Sequence, residues 1–211
     1  MENFIDIVSD ITILLCWIYP IFYLKSFAEN SNAFKIFTIY LVVIAIIQAT
    51  MKYINDVLDQ QNLFLFIYYF ILQFVLLSLF YKELLNAKWI YLVTIVALVF
   101  FGVQYVMEPD MYYRYNPIGA SVAQGIIVIY SIMYFYKCLT EQGEFLIVNV
   151  GIFMYLLSST LIFSSGNLVF DLNFPKTTAK LLTNINLFLY LAFQLLIIVE
   201  YWKNYSSSKT E

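Results

Sequence analysis

Seven stretches of this chain run for about 20 residues with scarcely a charge, the length of helix needed to cross the hydrocarbon core of a bilayer. They extend from about Ile5 to Leu24, Phe34 to Tyr53, Leu63 to Tyr81, Lys88 to Met107, Ile118 to Leu139, Phe145 to Phe170 and Leu181 to Trp202. Between them lie short polar breaks such as Glu29-Asn30-Ser31-Asn32, Glu108-Pro109-Asp110 and Glu141-Gln142-Gly143-Glu144. The pattern predicts an all-α fold, an integral membrane bundle of seven transmembrane helices forming one domain over residues 1–211. A soluble alternative fails on charge. Only 12% of the residues are charged and 63% are hydrophobic, where a soluble domain carries about 25% charged residues to cover its surface. A β-barrel is disfavoured because the apolar residues run continuously and do not alternate. Pro20, inside the first stretch, is expected to kink that helix or end it early.

Loop charge gives a direction. With the N-terminus outside, the inner side holds Lys25, Lys35, Lys82, Lys88, Lys137, Lys203 and Lys209, and the outer side Lys52, Arg114, Lys176 and Lys180. Basic residues concentrate on the cytoplasmic side of membrane proteins, so the N-terminus is expected outside and the C-terminus in the cytoplasm. The start, Met1-Glu2-Asn3-Phe4-Ile5-Asp6, is acidic where a cleaved signal would be basic. The first stretch is therefore expected to remain in the mature protein, a multi-pass protein of the cell inner membrane. No soluble domain is expected around the bundle, so any signalling output would belong to a partner.

The chain has no histidine. That removes histidine-ligated zinc, bis-histidine haem and Ser-His or Cys-His nucleophiles. Seven-helix zinc hydrolases, which need histidine ligands, are set aside with them. The seventh stretch has no lysine in its middle to carry a retinal Schiff base, and the fourth has no arginine ladder for voltage sensing. There is no Gly-rich phosphate loop and no basic run for nucleic acid. Cys16 and Cys138 fall at different depths, so no disulfide is expected between them. No cofactor and no metal site is expected, and only Asp10 suggests an intramembrane acid, so an enzyme is not expected.

Polar side chains inside a membrane are costly and tend to face the bundle interior or a watery cavity. Several share the outer third: Asp10, Gln48, Lys52, Gln104, Gln124, Ser164, Ser165, Asn167, Asn184 and Asn186. From these we expect an outward-facing cavity for a small ligand, with Asp10, Gln48, Lys52, Gln104, Gln124, Ser165, Asn184 and Asn186 as its binding residues. Asp10 and Lys52 would be its charged pair, with Tyr105, Tyr112, Tyr113 and Tyr115 as an aromatic lid. The competing account is interhelical hydrogen bonding beneath an aromatic belt, with Asp10 serving a helix start. A deeper set, Gln73, Ser158, Ser159 and Gln194, suits helix-to-helix adhesion better than a path. Asn149, Glu200 and Lys203 lie toward the inner side, where interfacial anchoring is expected. Small residues at Gly119, Ala120, Ser121, Ala123 and Gly125 favour close helix approach.

Two further patterns bear on function. Ile18-Tyr19-Pro20-Ile21-Phe22-Tyr23 is echoed by Ile129-Tyr130-Ser131-Ile132-Met133-Tyr134, and Asn62-Leu63-Phe64-Leu65 by Asn186-Leu187-Phe188-Leu189. These align stretches one to three with five to seven, in the manner of parallel-repeat transporters. A duplication would make the protein a small transporter of three helices, a linker and three helices; chance echoes in so restricted a composition are the alternative.

The last two stretches read Phe145-Leu-Ile-Val-Asn149-Val-Gly151-Ile-Phe-Met-Tyr155 and Asn184-Ile-Asn186-Leu-Phe-Leu-Tyr190, the second closing on Trp202-Lys203. This resembles small bacterial seven-transmembrane proteins similar to the membrane sensor regions of histidine kinases. The resemblance implies a receptor-like or accessory sensor without its own kinase. Its expected partners are membrane lipids, a histidine kinase or other signalling partner, and a small or lipophilic ligand, with no nucleic acid.

Overall fold

The computed structural model describes residues 2–59, 62–113, 116–164 and 176–206, and over these the chain is helical with no strand. Seven α-helices appear among the described residues: α1 (Glu2–Lys25), α2 (Asn32–Asp56), α3 (Leu65–Leu85), α4 (Trp89–Met107), α5 (Pro117–Cys138), α6 (Leu146–Ser164) and α7 (Lys176–Asn204). A single 3-10 turn, Pro109–Tyr113, follows α4. Six of the helices are long and apolar enough to cross a membrane. The other, α6, has a 17-residue apolar stretch, Leu146–Ile162, among the described residues. The segment that was expected to complete it to Phe170 lies outside those residues. Helix α1 continues past Pro20 to Lys25 and does not end early.

Local chemistry sets the helix ends. Ser31 caps α2, its Oγ accepting from the Phe34 N–H at 3.3 Å. Asn116 caps α5, its Oδ1 accepting from the Gly119 N–H at 2.8 Å, with Pro117 at the first helical position, where a missing N–H costs nothing. Asn86 ends α3 in the left-handed region at φ 52°, which asparagine tolerates better than most residues.

The packing closes into a ring. Helix α1 packs on α2 and α7, α2 on α3, α3 on α5, α5 on α6, and α6 on α7. Helix α4 lies against α3, outside the ring. The contacts fix which helix ends share a face. Tyr23 donates to the Ile197 carbonyl, Ser31 to Glu144, and Lys137 to the Leu84 carbonyl, so the ends of α1, α3, α5 and α7 and the starts of α2 and α6 meet on one face. We call it the C-face. The N-face holds the start of α1 and the end of α2, joined by Lys52 and Asp10.

Many large apolar side chains point outward, among them Leu14, Trp17, Ile46, Leu92, Val96, Val99, Ile129 and Leu161. In water such a surface would aggregate; in a bilayer it is the surface that lipid requires. The interior is aromatic and densest near the C-face. There Phe145 sits between Phe37, Phe80 and Tyr205, with ring centroids 5.4, 5.2 and 5.2 Å away.

Helices α6 and α7 meet at Gly151. A Cβ added there would come 2.6 Å from Phe193 Cδ2 and 3.3 Å from Leu196 Cδ1. Gly151→Val should therefore force the pair apart and cost about 1–3 kcal/mol, seen as a lower melting temperature in detergent. An unchanged melt would mean that α7 moves aside freely. By contrast, Gly125 has open space beside it, so that glycine does not serve the close approach expected of the α5 cluster.

Candidate functional site

On the N-face side of the ring a cavity of about 340 Å³ is lined by Gln48 and Met51 of α2, Phe66 and Tyr69 of α3, Gln124 of α5, Tyr155 and Ser159 of α6, and Asn186 of α7. Five helices therefore bring polar groups or rings to one space. Three of the eight residues expected from sequence, Gln48, Gln124 and Asn186, come together here. The other described members stand apart. Asp10 and Lys52 do pair, Nζ to Oδ1 at 3.4 Å, but Asp10 is 75% exposed and neither lines the cavity. Lys52 also reaches Asp56 at 3.8 Å, so this is a solvated surface cluster of the kind that contributes little. Gln104 accepts from Asn116 Nδ2 at 3.2 Å, bracing the start of α5. Asn184 is half-buried and is not a lining residue. Ser165, Asn167 and Tyr115 lie outside the described residues.

The tyrosines expected as a lid do other work. Tyr68 and Tyr112 hydroxyls meet at 3.0 Å, and Tyr113 packs edge-on against Tyr112. None of Tyr105, Tyr112 and Tyr113 lines the cavity.

Beneath the cavity lies a network that the sequence reading missed. The Tyr155 hydroxyl is hydrogen-bonded to the side chains of Tyr69, Asn186 and Ser159. Gln48 Nε2 donates to the Tyr190 hydroxyl at 2.7 Å, and Tyr190 approaches Cys16 Sγ at 3.9 Å. Tyr19 donates to the same sulfur at 3.4 Å. Gln73 Nε2 reaches the Tyr40 hydroxyl at 3.4 Å. Thr160 donates to Gln124 Oε1 at 3.0 Å. Ring packing holds the frame: Tyr155 stacks on Phe193 at 5.7 Å and lies 5.2 Å from Tyr190. Buried phenols give both an apolar body and a hydrogen-bonding tip, which suits a cavity floor between apolar helices.

Two lining features matter chemically. Among the described residues that form the wall there is no acid and no base. And Asn186 lines the wall while its own Oδ1 is closed off from that space and has no hydrogen-bond partner. Cys16 and Cys138 are both free, and among the described residues no three acid or cysteine side chains converge to hold a metal ion.

The deeper polar residues tie helices together. Gln194 Nε2 donates to the Thr12 carbonyl at 3.0 Å, joining α7 to α1. Asn149 and Glu200, expected at the interface, are in fact fully buried. Glu200 Oε2 accepts the Ile147 and Val148 N–H groups at 3.0 and 3.2 Å, closing the first turn of α6, and its Oε1 accepts from Asn204. A carboxylate there also meets the positive end of the helix dipole. Lys203 is exposed.

A second space, about 310 Å³, lies at the C-face between the start of α2 and the ends of α3 and α5; Ser31, Glu83, Tyr134, Lys137, Glu141 and Glu144 are among its lining. Ser31 donates to Glu144 Oε2 at 2.8 Å, Lys137 pairs with Glu141 at 3.4 Å, and Tyr134 donates to the Glu144 carbonyl. Next to it, Tyr205 packs under Phe34 and Phe145, and burial pushes its phenol well above the ordinary tyrosine range.

The fold and its apolar surface define a multi-pass helical membrane protein. The chain matches no family model, no curated protein and no solved structure.

Proposed function

We propose that the protein is a receptor-like or accessory sensor of the bacterial inner membrane. It binds a small or lipophilic ligand in the N-face cavity and signals through a partner at the C-face. The observation that carries this reading is the cavity itself, a space between five helices walled by amides, phenols and a hydroxyl. The chain crosses the membrane seven times with the N-terminus outside, which makes the N-face the outer one.

The α6–α7 pair offers the route for a signal. Tyr155, Ser159 and Asn186 belong to that pair at the cavity, and Glu200 clamps the same two helices together at the C-face. A ligand that favours one setting of α6 on α7 would shift the populations of both ends together, provided that it binds the two settings with different affinity.

The test is affinity purification from native membranes, paired with flux measurements in proteoliposomes. Retention of a histidine kinase or other signalling protein is expected, with no solute flux. Retention should weaken when the cavity is filled by Ser159→Phe. A lone protein that moves solute would overturn the sensor reading.

One observation favours a transporter as the second reading. The ring runs α1, α2, α3, α5, α6, α7 with α4 outside, so a twofold axis through it would exchange helices one to three with five to seven. Those are the segments that the sequence echoes align. Flux without a partner supports this reading.

Orientation has its own test. In a variant with Cys16 and Cys138 replaced by alanine, Val57→Cys, beyond the end of α2, should react with a membrane-impermeant maleimide on intact cells. Gln142→Cys, in the α5–α6 turn, should react only after permeabilisation. The reverse pattern would place the N-terminus inside.

A further inference from the structure

The N-face cavity has a smaller neighbour, and on the premise that the cavity is a binding site the two together limit the length of its ligand. A void of about 10 Å³ lies between α3, α5 and α6, lined by Phe70, Gln73, Phe74, Ala123, Gln124, Ile127 and Leu156. Gln124 also lines the cavity, so one side chain belongs to both walls. The void is the deeper of the two. Along α3 the wall passes from Phe66 and Tyr69 of the cavity to Phe70 and Phe74 of the void, about one helical turn toward the C-face.

The two spaces differ in chemistry. The described cavity wall carries amides, phenols and a hydroxyl and no charge. An ion there would leave water without a counter-charge, which is expensive. The void is walled by the buried apolar side chains of Phe70, Phe74, Ala123, Ile127 and Leu156, and the amide of Gln73 is engaged by Tyr40. Atoms around such a gap lack partners on one side and forfeit dispersion contacts, so an apolar chain end is the occupant that they favour. At its present size the void has room for about one water. A chain end therefore enters only where Gln124 gives way, and Gln124 Oε1 is held by the Thr160 hydroxyl at 3.0 Å.

We propose that the cavity takes an uncharged amphiphile, its polar head among the amides and phenols and its alkyl tail toward Gln124, and that Gln124 sets the longest tail admitted. Added chain length then improves binding only until the tail meets the glutamine. Removing that side chain joins the cavity to the void and admits a longer tail. Freeing it from Thr160 lets it swing aside, with the same result.

The probes are straight-chain primary alcohols from hexanol to dodecanol, with the alkanoates of the same lengths as charged counterparts. Each competes with a hexanol that carries a photoreactive diazirine, and the readout is loss of label from the cavity residues Met51, Phe66 and Tyr69 of the full chain in nanodiscs. Free probe is fixed by dialysis, so partition into lipid does not enter the apparent affinity. In the wild type each added methylene should tighten binding about fourfold up to one length and then stop. Each alkanoate should bind roughly tenfold more weakly than its alcohol, or worse. Gln124→Ala should carry the fourfold steps to longer chains, whereas Gln124→Leu, which keeps the bulk, should stop where the wild type does. Thr160→Val keeps the glutamine and removes the hydroxyl that holds it, and carries the test if Gln124→Ala does not fold.

An unchanged stopping length in the folded variant, or a wild-type series that never stops, removes Gln124 as the limit and leaves the cavity as a site. Alkanoates that bind as tightly as the alcohols overturn the uncharged class. Label that no alcohol displaces overturns both this inference and the cavity reading beneath it.

Discussion

Glu200→Ala should be among the most destabilising single substitutions in the chain. The carboxylate is fully buried, and its Oε2 accepts two N–H groups from the first turn of α6. Those donors lie at a helix start, where no preceding carbonyl exists to take them. Without Glu200 they are left inside an aromatic core, at about 1–3 kcal/mol for each unpaired group. The opposing term is the cost of burying the carboxylate in the native protein. It is offset there by three hydrogen bonds and the α6 dipole, so removal of the side chain still leaves a net loss. A loss of about 3 kcal/mol lowers the melting temperature by roughly 10 °C at this chain length. Glu200→Gln keeps an acceptor oxygen and loses only the charge on the dipole, worth on the order of 1 kcal/mol, so its melt should fall much less. Both are read by thermal unfolding in the same detergent. If Glu200→Ala melts with the wild type, the cap is not a stabilising contact.

Glu200 also shows why some of this fold was legible and some was not. The helices were legible because lipid permits few alternatives: an apolar run of sufficient length has to be helical there. Gln48, Gln124 and Asn186 were legible only as part of a larger set: amides at membrane depth turn inward, but the same reasoning collected Gln104 and Asn184, which stand apart from the cavity. Charge near a helix end is ambiguous. Asp10 and Glu200 both lie within about two turns of a terminus, yet one is exposed and the other is sealed under the start of a neighbouring helix. Sequence spacing within α7 does not say that α6 begins beside it. Tyrosine is ambiguous for another reason. Its ring suits the membrane interface and its hydroxyl suits a buried network. With 19 tyrosines in the chain, composition could not single out Tyr69 and Tyr190; Tyr155 falls at roughly helical spacing with Gly151, Ser158 and Ser165, which marks it as part of a bundle-facing stripe. A usable signal was present: Tyr69 lies nearly two turns into the third stretch, toward the end where the amides collect, and Tyr155 and Tyr190 fall within the two stretches that carry Ser159 and Asn186.

Asn149 allows a buried hydrogen bond to be measured apart from its surroundings. It sits on α6, fully buried. Its Oδ1 accepts from the Tyr81 hydroxyl of α3 at 2.6 Å, and its Nδ2 donates to the Ser131 carbonyl of α5 at 3.2 Å. One side chain thus ties three ring helices. Asn149→Leu has similar bulk but takes one of two partners from the Tyr81 hydroxyl, which keeps the Ser131 side chain, and from the Ser131 carbonyl, which keeps its bond within α5, and should cost about 1–2 kcal/mol. Tyr81→Phe leaves Asn149 Oδ1 unpaired and takes one contact from the Ser131 hydroxyl, which keeps the Asn149 carbonyl, and should cost about 1–2 kcal/mol. If these were independent losses, the double variant would suffer their sum. They are not independent, because both delete the same Tyr81–Asn149 bond, which the double variant loses only once. The double variant should therefore be more stable than the sum by a coupling energy. Hydrogen bonds between membrane helices couple by about 0.6 kcal/mol on average and up to about 1.7. Full burial and a 2.6 Å contact place this pair toward the upper value. Reversible unfolding of the wild type, both single variants and the double variant gives the figure directly. Strict additivity would mean that the Ser131 side chain satisfies the Tyr81 hydroxyl by itself once Asn149 is gone, and that the Tyr81–Asn149 bond adds nothing to the hold of α3 on α6.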